Sequence, residues 1–143
     1  MTCRAPRILA IFALAVLTGQ ASAETDQGAH LTIELNAIGP VDTACRISFL
    51  IQNGHATDIR QAVFEAVLFD AEGRVDRLML FDFGELPSAR PRVRQFVVPG
   101  LTCEGLGKVL INGAETCTGE GLAAGACAEG LELRSRTGVE VLG

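Results

Sequence analysis

The chain has 143 residues, 48% of them hydrophobic, and its 12 basic and 17 acidic side chains give a formal net charge of −5. An acidic chain repels phosphate backbones, and this one also lacks the Trp and Tyr side chains on which bases commonly stack. We therefore expect no nucleic acid partner, and the length fits one domain with its own core.

The first 23 residues have the pattern of a secretory signal peptide. Arg4 and Arg7 form a positive start, an apolar segment follows from Ile8 to Leu17, and Ala21-Ser22-Ala23 is a small-residue cleavage site. The apolar segment is too short to span a membrane, and Cys3 lies ahead of it rather than at the cleavage site. We therefore expect no stable membrane anchor.

Removal of residues 1–23 leaves residues 24–143 as a single domain, which keeps all 17 acidic side chains and loses two arginines. We expect this domain in the periplasm or outside the cell. Alternation of apolar and polar residues predicts its first two strands. One runs over His30–Ala37 and ends before Gly39-Pro40, and the other runs over Ala44–Asn53 and ends at an Asn-Gly turn.

A hairpin at Val63–Phe83 organises the rest of the domain. Its first strand is apolar on both faces, which is typical of a central strand that is covered on both sides or near its ends. The turn residues Asp70–Gly73 combine an Asp that can accept hydrogen bonds from the following backbone with a Gly that tolerates positive φ. The return strand begins at Val75.

Further strands are predicted at Arg92–Val98 and Gly107–Asn112, and a long loop is predicted over residues 112–130. Leu131–Arg136 and Val139–Leu142 have the pattern of one interrupted strand. This makes seven strand-like segments without an amphipathic helix of useful length. We therefore predict an all-β fold, an immunoglobulin-like antiparallel β-sandwich that follows the signal peptide.

Four cysteines follow the signal peptide: Cys45, Cys103, Cys117 and Cys127. An even number in an exported chain indicates two disulfides, for which three connectivities exist. We favour Cys117–Cys127, which closes a short loop, together with Cys45–Cys103; the chain-entropy model gives about 3 and about 4 kcal/mol for them. A zinc site is not expected, because no two cysteines have the close spacing of zinc ligands.

Several segments resemble one protein family. The runs LTIELNAI, CRISFLIQN, VLFDAEGRV, RPRVRQF and KVLIN, with the four cysteines, look like a family of small exported bacterial proteins often labelled "Tat pathway signal sequence domain protein". The resemblance implies an exported β-sandwich and no known active residues. VLFDAEGRV is also loosely similar to the centre of FxLYD-type extracellular domains, with Ala66 in place of Phe and Phe69 in place of Tyr.

Arg90, Arg92 and Arg94 recur at every second residue, which in a strand places them on one face. A basic stripe on an acidic protein can receive an anionic ligand or the acidic surface of an envelope protein, and it is the best binding hypothesis that the sequence offers. The alternative, to which we give more weight, is edge protection and cross-strand pairing with nearby acids: Asp76, Asp82 and Glu85.

Two acidic features are further candidates. Glu65 interrupts an apolar strand face, where an edge location or a salt bridge to an arginine is the simplest account. The segment around Cys117–Cys127 carries Glu115, Glu120 and Glu129 without any basic residue, and a long loop closed by a disulfide can serve recognition.

Catalysis has little support in the sequence. We predict that His30 and His55 are solvated, and no serine occurs in a G-x-S-x-G elbow. We expect no catalytic residue, no metal and no cofactor, and predict a non-enzymatic binding or structural module. One alternative is capture of a small ligand between the sheets. The other is an enzyme that uses paired carboxylates from this set: Glu65, Asp70, Asp76 and Asp82.

Overall fold

The computed structural model describes residues 1–2 and 28–143. The described residues form eight strands and no helix. The strands are β1 (Leu31–Val41), β2 (Ala44–Asn53), β3 (Ile59–Asp70), β4 (Val75–Leu86), β5 (Arg92–Val98), β6 (Leu106–Thr118), β7 (Glu132–Ser135) and β8 (Glu140–Leu142). The predicted signal peptide lies outside the described residues except for positions 1 and 2, and the described part contains no helix able to cross a membrane.

Two four-stranded sheets pack around one core. Sheet A has the order β5-β2-β1-β7, and sheet B has the order β4-β3-β6-β8. Alternate side chains of each strand point between the sheets, where phenylalanines from both sheets meet; the rings of Phe49 on β2 and Phe81 on β4 lie 5.0 Å apart. The prediction of an all-β fold with two layers is confirmed.

The predicted hairpin is present as β3 and β4, and its turn has the predicted chemistry. Asp70 Oδ1 accepts hydrogen bonds from the backbone N–H groups of Arg74 (2.8 Å) and Glu72 (3.0 Å), and Gly73 adopts a φ of 81°. These bonds favour the ionised carboxylate, so the backbone N–H of Arg74 above all lowers the pKa of Asp70.

The end of the chain differs from the prediction. The last segment is not one interrupted strand, because β7 pairs in parallel with β1 in sheet A, whereas β8 pairs in parallel with β6 in sheet B. The residues between Ser135 and Glu140 carry the chain from one sheet to the other. The described part of the chain therefore forms eight strands rather than seven, and each sheet ends in one edge strand that pairs in parallel.

Two strands are longer than predicted. Strand β6 continues past Asn112 to Thr118, because β3 provides pairing partners throughout and two register shifts accommodate the small residues that suggested a loop. Strand β1 continues through Gly39-Pro40. Proline is tolerated there because, among the described strands, only β2 pairs with β1 beyond Leu35.

Both predicted disulfides are confirmed. Cys45 on β2 is joined to Cys103 in the connection between β5 and β6, and Cys117 on β6 is joined to Cys127 in the connection that leads to β7. Each bridge therefore ties an irregular connection to a strand of the core. The longer one also links sheet A to the segment that enters sheet B.

Candidate functional site

The outer face of sheet B carries a row of apolar side chains across all four strands. Residues that lie directly opposite on neighbouring strands share a face. The pairing places Leu78 opposite Val67, Val67 opposite Leu110, and Leu110 opposite Leu142. Together with the outward apolar side chains beside this row, these residues form a surface that we call the apolar face: Val63, Val67, Phe69, Val75, Leu78, Leu80, Leu110 and Leu142.

Three side chains of the apolar face lie largely in solvent. Val75 is 58% exposed, Leu78 60% and Leu80 53%. Single exposed apolar residues are ordinary, but a contiguous apolar surface marks an interaction site. The prediction that β3 is central in its sheet and covered on both sides or near its ends is confirmed, because Val67 is 8% exposed and the other β3 residues of the apolar face are half-buried. The exposed side chains lie instead on the neighbouring edge strand β4. Among the described residues, nothing covers Leu78 and Leu80 on the outer side.

The binding candidates predicted from the sequence do not include Leu78 and Leu80, although the sequence contains a signal for them. They alternate with inward residues of β4 and are bracketed on the same face by Asp76 and Asp82. An antiparallel strand with one solvated face is expected to carry polar residues at such positions. Two leucines between two aspartates are therefore the feature that distinguishes this strand.

Carboxylates border the apolar face. Glu65 lies opposite Leu80 in the strand register, Asp82 lies opposite Val63, and Glu140 lies at the start of β8. Glu115 projects from a bulged part of β6 beside Glu65. Within the described part of the chain, no basic side chain is in ion-pair contact with any of these four carboxylates.

Glu65 differs from its prediction in location and partner. It lies on a central strand rather than at an edge, and it accepts a hydrogen bond from the amide of Asn112 rather than pairing with an arginine. A shallow cavity of about 310 Å³ is lined by Glu65, Glu115 and residues 78–80, and a smaller one of about 120 Å³ adjoins the same two carboxylates. The two carboxylates thus share a depression with an apolar wall.

Nearby basic side chains are already engaged by other groups. Arg74 Nε lies 3.0 Å from Asp70 Oδ2, and Arg77 Nε lies 2.5 Å from Asp76 Oδ2. Arg77 also donates from Nη1 to the carbonyl oxygen of Pro99 at 2.7 Å. These arginines therefore do not neutralise the border of the apolar face.

The predicted arginine stripe is only partly formed. Arg92 and Arg94 share one face of β5, whereas Arg90 precedes the strand. Arg94 donates from Nε to the carbonyl oxygen of Phe83 (2.8 Å) and from Nη2 to that of Glu85 (3.2 Å), so it connects the edge strands β5 and β4. Among the described residues, no arginine of the stripe is in ion-pair contact with a carboxylate, and Arg94 binds backbone carbonyls instead. This geometry fits edge protection, and the binding role of the stripe stays a prediction.

The centre of the outer face of sheet A is covered by polar contacts, whereas its edge strand β5 carries two exposed valines, Val93 and Val97. Glu34 is 7% exposed, and its Oε1 accepts hydrogen bonds from Asn36 Nδ2 (2.8 Å) and Arg136 Nε (2.9 Å). The amide of Asn36 and then the guanidinium of Arg136 lower the pKa of Glu34. On the neighbouring strands, Gln95 donates to the hydroxyl of Ser48 at 2.9 Å.

Both histidines are half-buried, so the prediction that they are solvated is wrong. His30 Nε2 lies 3.4 Å from Glu132 Oε2, and this contact contributes, after that of Arg134, to a lowered pKa of Glu132. His55 Nε2 lies 2.9 Å from the carbonyl oxygen of Ala126, in the loop closed by the shorter disulfide. His55 therefore ties this loop to the body of the domain.

The other predicted sites are dispersed. None of the four principal cavities of the described chain is lined by two of the carboxylates proposed for catalysis, and the described residues contain no group of three His, Cys, Asp or Glu able to hold a metal ion. A cleft of about 330 Å³ opens between the sheets where β6 approaches β7 and the connection that leads to it, with an apolar lining that includes Phe64, Ile111, Leu131 and Leu133.

No model of a known protein family matches the chain, and no curated protein matches it. Among solved structures, the chain is similar to IrmA from Escherichia coli, with a TM-score of 0.58 and 13% identical residues. The match covers 74% of this chain and 92% of that chain. At this identity the likeness shows a shared fold alone. The resemblance to the small exported bacterial family stays a prediction.

Proposed function

We propose that the chain is an exported, non-enzymatic binding module of immunoglobulin-like architecture, which docks a protein partner through the apolar face. The observation that carries this proposal is the exposure of Leu78 and Leu80 at one end of an apolar row that crosses four strands. Export is supported by the signal-peptide pattern of residues 1–23 and by the two disulfides, which persist in oxidising compartments.

The energetics favour docking at this face. Removing a leucine side chain from water contributes about 1.5–3 kcal/mol, so two half-exposed leucines retain a substantial part of that free energy for a partner. The apolar centre and charged border also match the usual anatomy of interfaces, in which a dry centre is surrounded by a polar rim.

Site-specific photo-crosslinking in the producing cells tests this proposal. A photoreactive phenylalanine derivative at position 80 should give a discrete adduct, because that side chain lies inside the docking surface. The matched control is the same derivative at position 97, since Val97 is similarly exposed (50%) on the outer face of sheet A. Equal adducts from both positions, or none from position 80, would contradict docking at the apolar face.

A second candidate function is capture of a small apolar ligand in the cleft between the sheets. Its volume of about 330 Å³ lies at the lower end of the usual range for ligand sites. Thermal denaturation against a panel of small apolar compounds tests it. A ligand that raises the melting temperature of the protein, but not that of a Leu133→Gln variant, would support the cleft; no shift across the panel would oppose it.

A further inference from the structure

We infer that the partner of the apolar face is a protein segment that combines apolar side chains with lysine or arginine; this inference rests on the proposed function and names the chemistry of its partner. Four carboxylates border the apolar face: Glu65, Asp82, Glu115 and Glu140. Among the described residues that pair across this face, Lys108 is the one basic side chain. The Nζ atom of Lys108 lies 5.8 Å from the ring centroid of Phe69, so even this cation has a partner.

The depression between Glu65 and Glu115 shows how such a segment is recognised. Its wall contains the leucines at positions 78 and 80, and its rim contains both carboxylates. A long basic side chain covers apolar surface with its methylene groups while its charged end reaches a carboxylate. Glu65 retains a second carboxylate oxygen for that purpose, because only Oε1 accepts the hydrogen bond from Asn112.

Gly113 has no side chain, and this keeps the depression open on the side of β6. Gly113 lies directly opposite Glu65, and a side chain built at this position would meet nothing within 4 Å. The smaller cavity of about 120 Å³ therefore adjoins Glu65 and Glu115 from the β6 side. A basic side chain can approach the pair of carboxylates from either direction along the sheet.

The same charges disfavour other occupants. A second copy of this chain would bring the carboxylates of two apolar faces together, and like charges across an interface oppose association. Anionic lipid surfaces and nucleic acids carry the same sign as the border and are repelled as well. A basic, apolar protein segment is the occupant that satisfies both the apolar centre and its border.

Three synthetic peptides of equal length test the inference by fluorescence anisotropy with the purified protein. The first alternates leucine with lysine, the second alternates leucine with glutamate, and the third alternates serine with lysine. We expect the first peptide alone to bind, with an affinity that falls as salt is raised. Replacing Glu65→Gln together with Glu115→Gln should weaken its binding about tenfold, because charge complementarity at the rim is lost.

The matched control is Glu120→Gln with Glu129→Gln, which removes the same number of charges from the loop that precedes β7. This control should bind the first peptide as the unmodified protein does. If both double variants weaken binding equally, the attraction is a general effect of net charge, and the inference is overturned.

The remaining outcomes separate this inference from the proposed function. Equal binding of the leucine–lysine and leucine–glutamate peptides would overturn the charge inference and leave the docking face intact. Binding of the serine–lysine peptide alone, or of none, would overturn the docking face itself. Binding to vesicles of anionic lipid, or dimerisation that Leu78→Thr with Leu80→Thr abolishes, would assign the face to a membrane or to a second copy instead.

Discussion

The outer faces of the two sheets differ in how their side chains are covered by the rest of the chain. On sheet A, the centrally placed Glu34 is nearly buried by side chains of the same chain, which satisfy its carboxylate with two hydrogen bonds. On sheet B, the corresponding central region is apolar, and Leu78 and Leu80 remain more than half exposed. The first face is covered at its centre, and the large apolar side chains that it exposes are Val93 and Val97, which a glutamine separates on the edge strand β5. The second face leaves the adjoining Leu78 and Leu80 in water.

Charge follows the same division. Arginines on sheet A contact groups of this chain: Arg136 contacts Glu34, Arg134 contacts Glu132, and Arg94 caps carbonyls at the edge of β4. The carboxylates that border the apolar face have no such ion pairs within the described chain. The arginines thus stabilise the scaffold, and the carboxylates are available to a partner.

The largest expected effect tests whether the arginines of sheet A are structural. Arg94→Ala should lower the free energy of unfolding by about 1–2 kcal/mol, because it removes charged donors from two carbonyl oxygens at an otherwise open edge. Urea denaturation followed by circular dichroism measures this change. Arg92→Ala is the matched control, since Arg92 lies on the same face of β5 and reaches only the preceding carbonyl.

The Arg92→Ala substitution should therefore change stability by less than about 0.5 kcal/mol. Similar losses of unfolding free energy for both variants would show that the contacts of Arg94 with β4 do not cause the destabilisation. An unchanged stability for both variants would favour the other prediction, that the arginine stripe binds an anionic ligand.

A smaller effect concerns how the stability of the fold depends on pH through Glu34 of sheet A. Because its hydrogen bonds lower the pKa of Glu34 below the ordinary value of 4.5, the ionised form stabilises the folded state above that value. This stabilisation is lost as pH falls through the lowered pKa of the folded state. The melting temperature of the protein should therefore fall in acid. The melting temperature of the Glu34→Gln variant should fall less steeply over the same pH interval.

Asn36→Ala sharpens this test, since it keeps the carboxyl group of Glu34 and removes the hydrogen bond that contributes most to the lowered pKa. It should reduce the acid sensitivity in the same direction as Glu34→Gln. Parallel curves for the unmodified protein and both variants would mean that the contacts of Glu34 contribute nothing to the pH dependence of folding.

Local chemistry made much of this fold predictable. The β3–β4 turn follows from Asp70 and Gly73, whose side-chain acceptor and positive φ are properties of single residues. The disulfides follow from the export pattern and from loop length. The parallel pairings of β7 and β8 were not predictable in this way, because they depend on which sheet each short segment meets rather than on its own sequence.

The candidate site was less predictable than the fold for a related reason. Period-two alternation identifies which residues share a face, but it does not say whether that face is covered. The row from Leu78 to Leu142 exists only through the register of three strand pairs, two of which contain bulges. Likewise, Arg94 meets carbonyls of β4 because two edges from different sheets lie side by side.

The smallest expected effect is on the stability of the open face. Leu78→Thr with Leu80→Thr should leave the free energy of unfolding within about 0.5 kcal/mol, because both side chains are already largely in water and threonine is favourable in strands. Leu50→Thr on the outer face of sheet A is the control, since Leu50 is half-buried between β1 and β5. It should destabilise the protein more than the double substitution does, by calorimetry or urea denaturation. Such a result would separate folding from docking, because a variant that folds normally and no longer binds must have lost contacts with the partner. A collapse of the melting temperature in the double variant would instead make Leu78 and Leu80 part of the scaffold and remove the difference between the two faces.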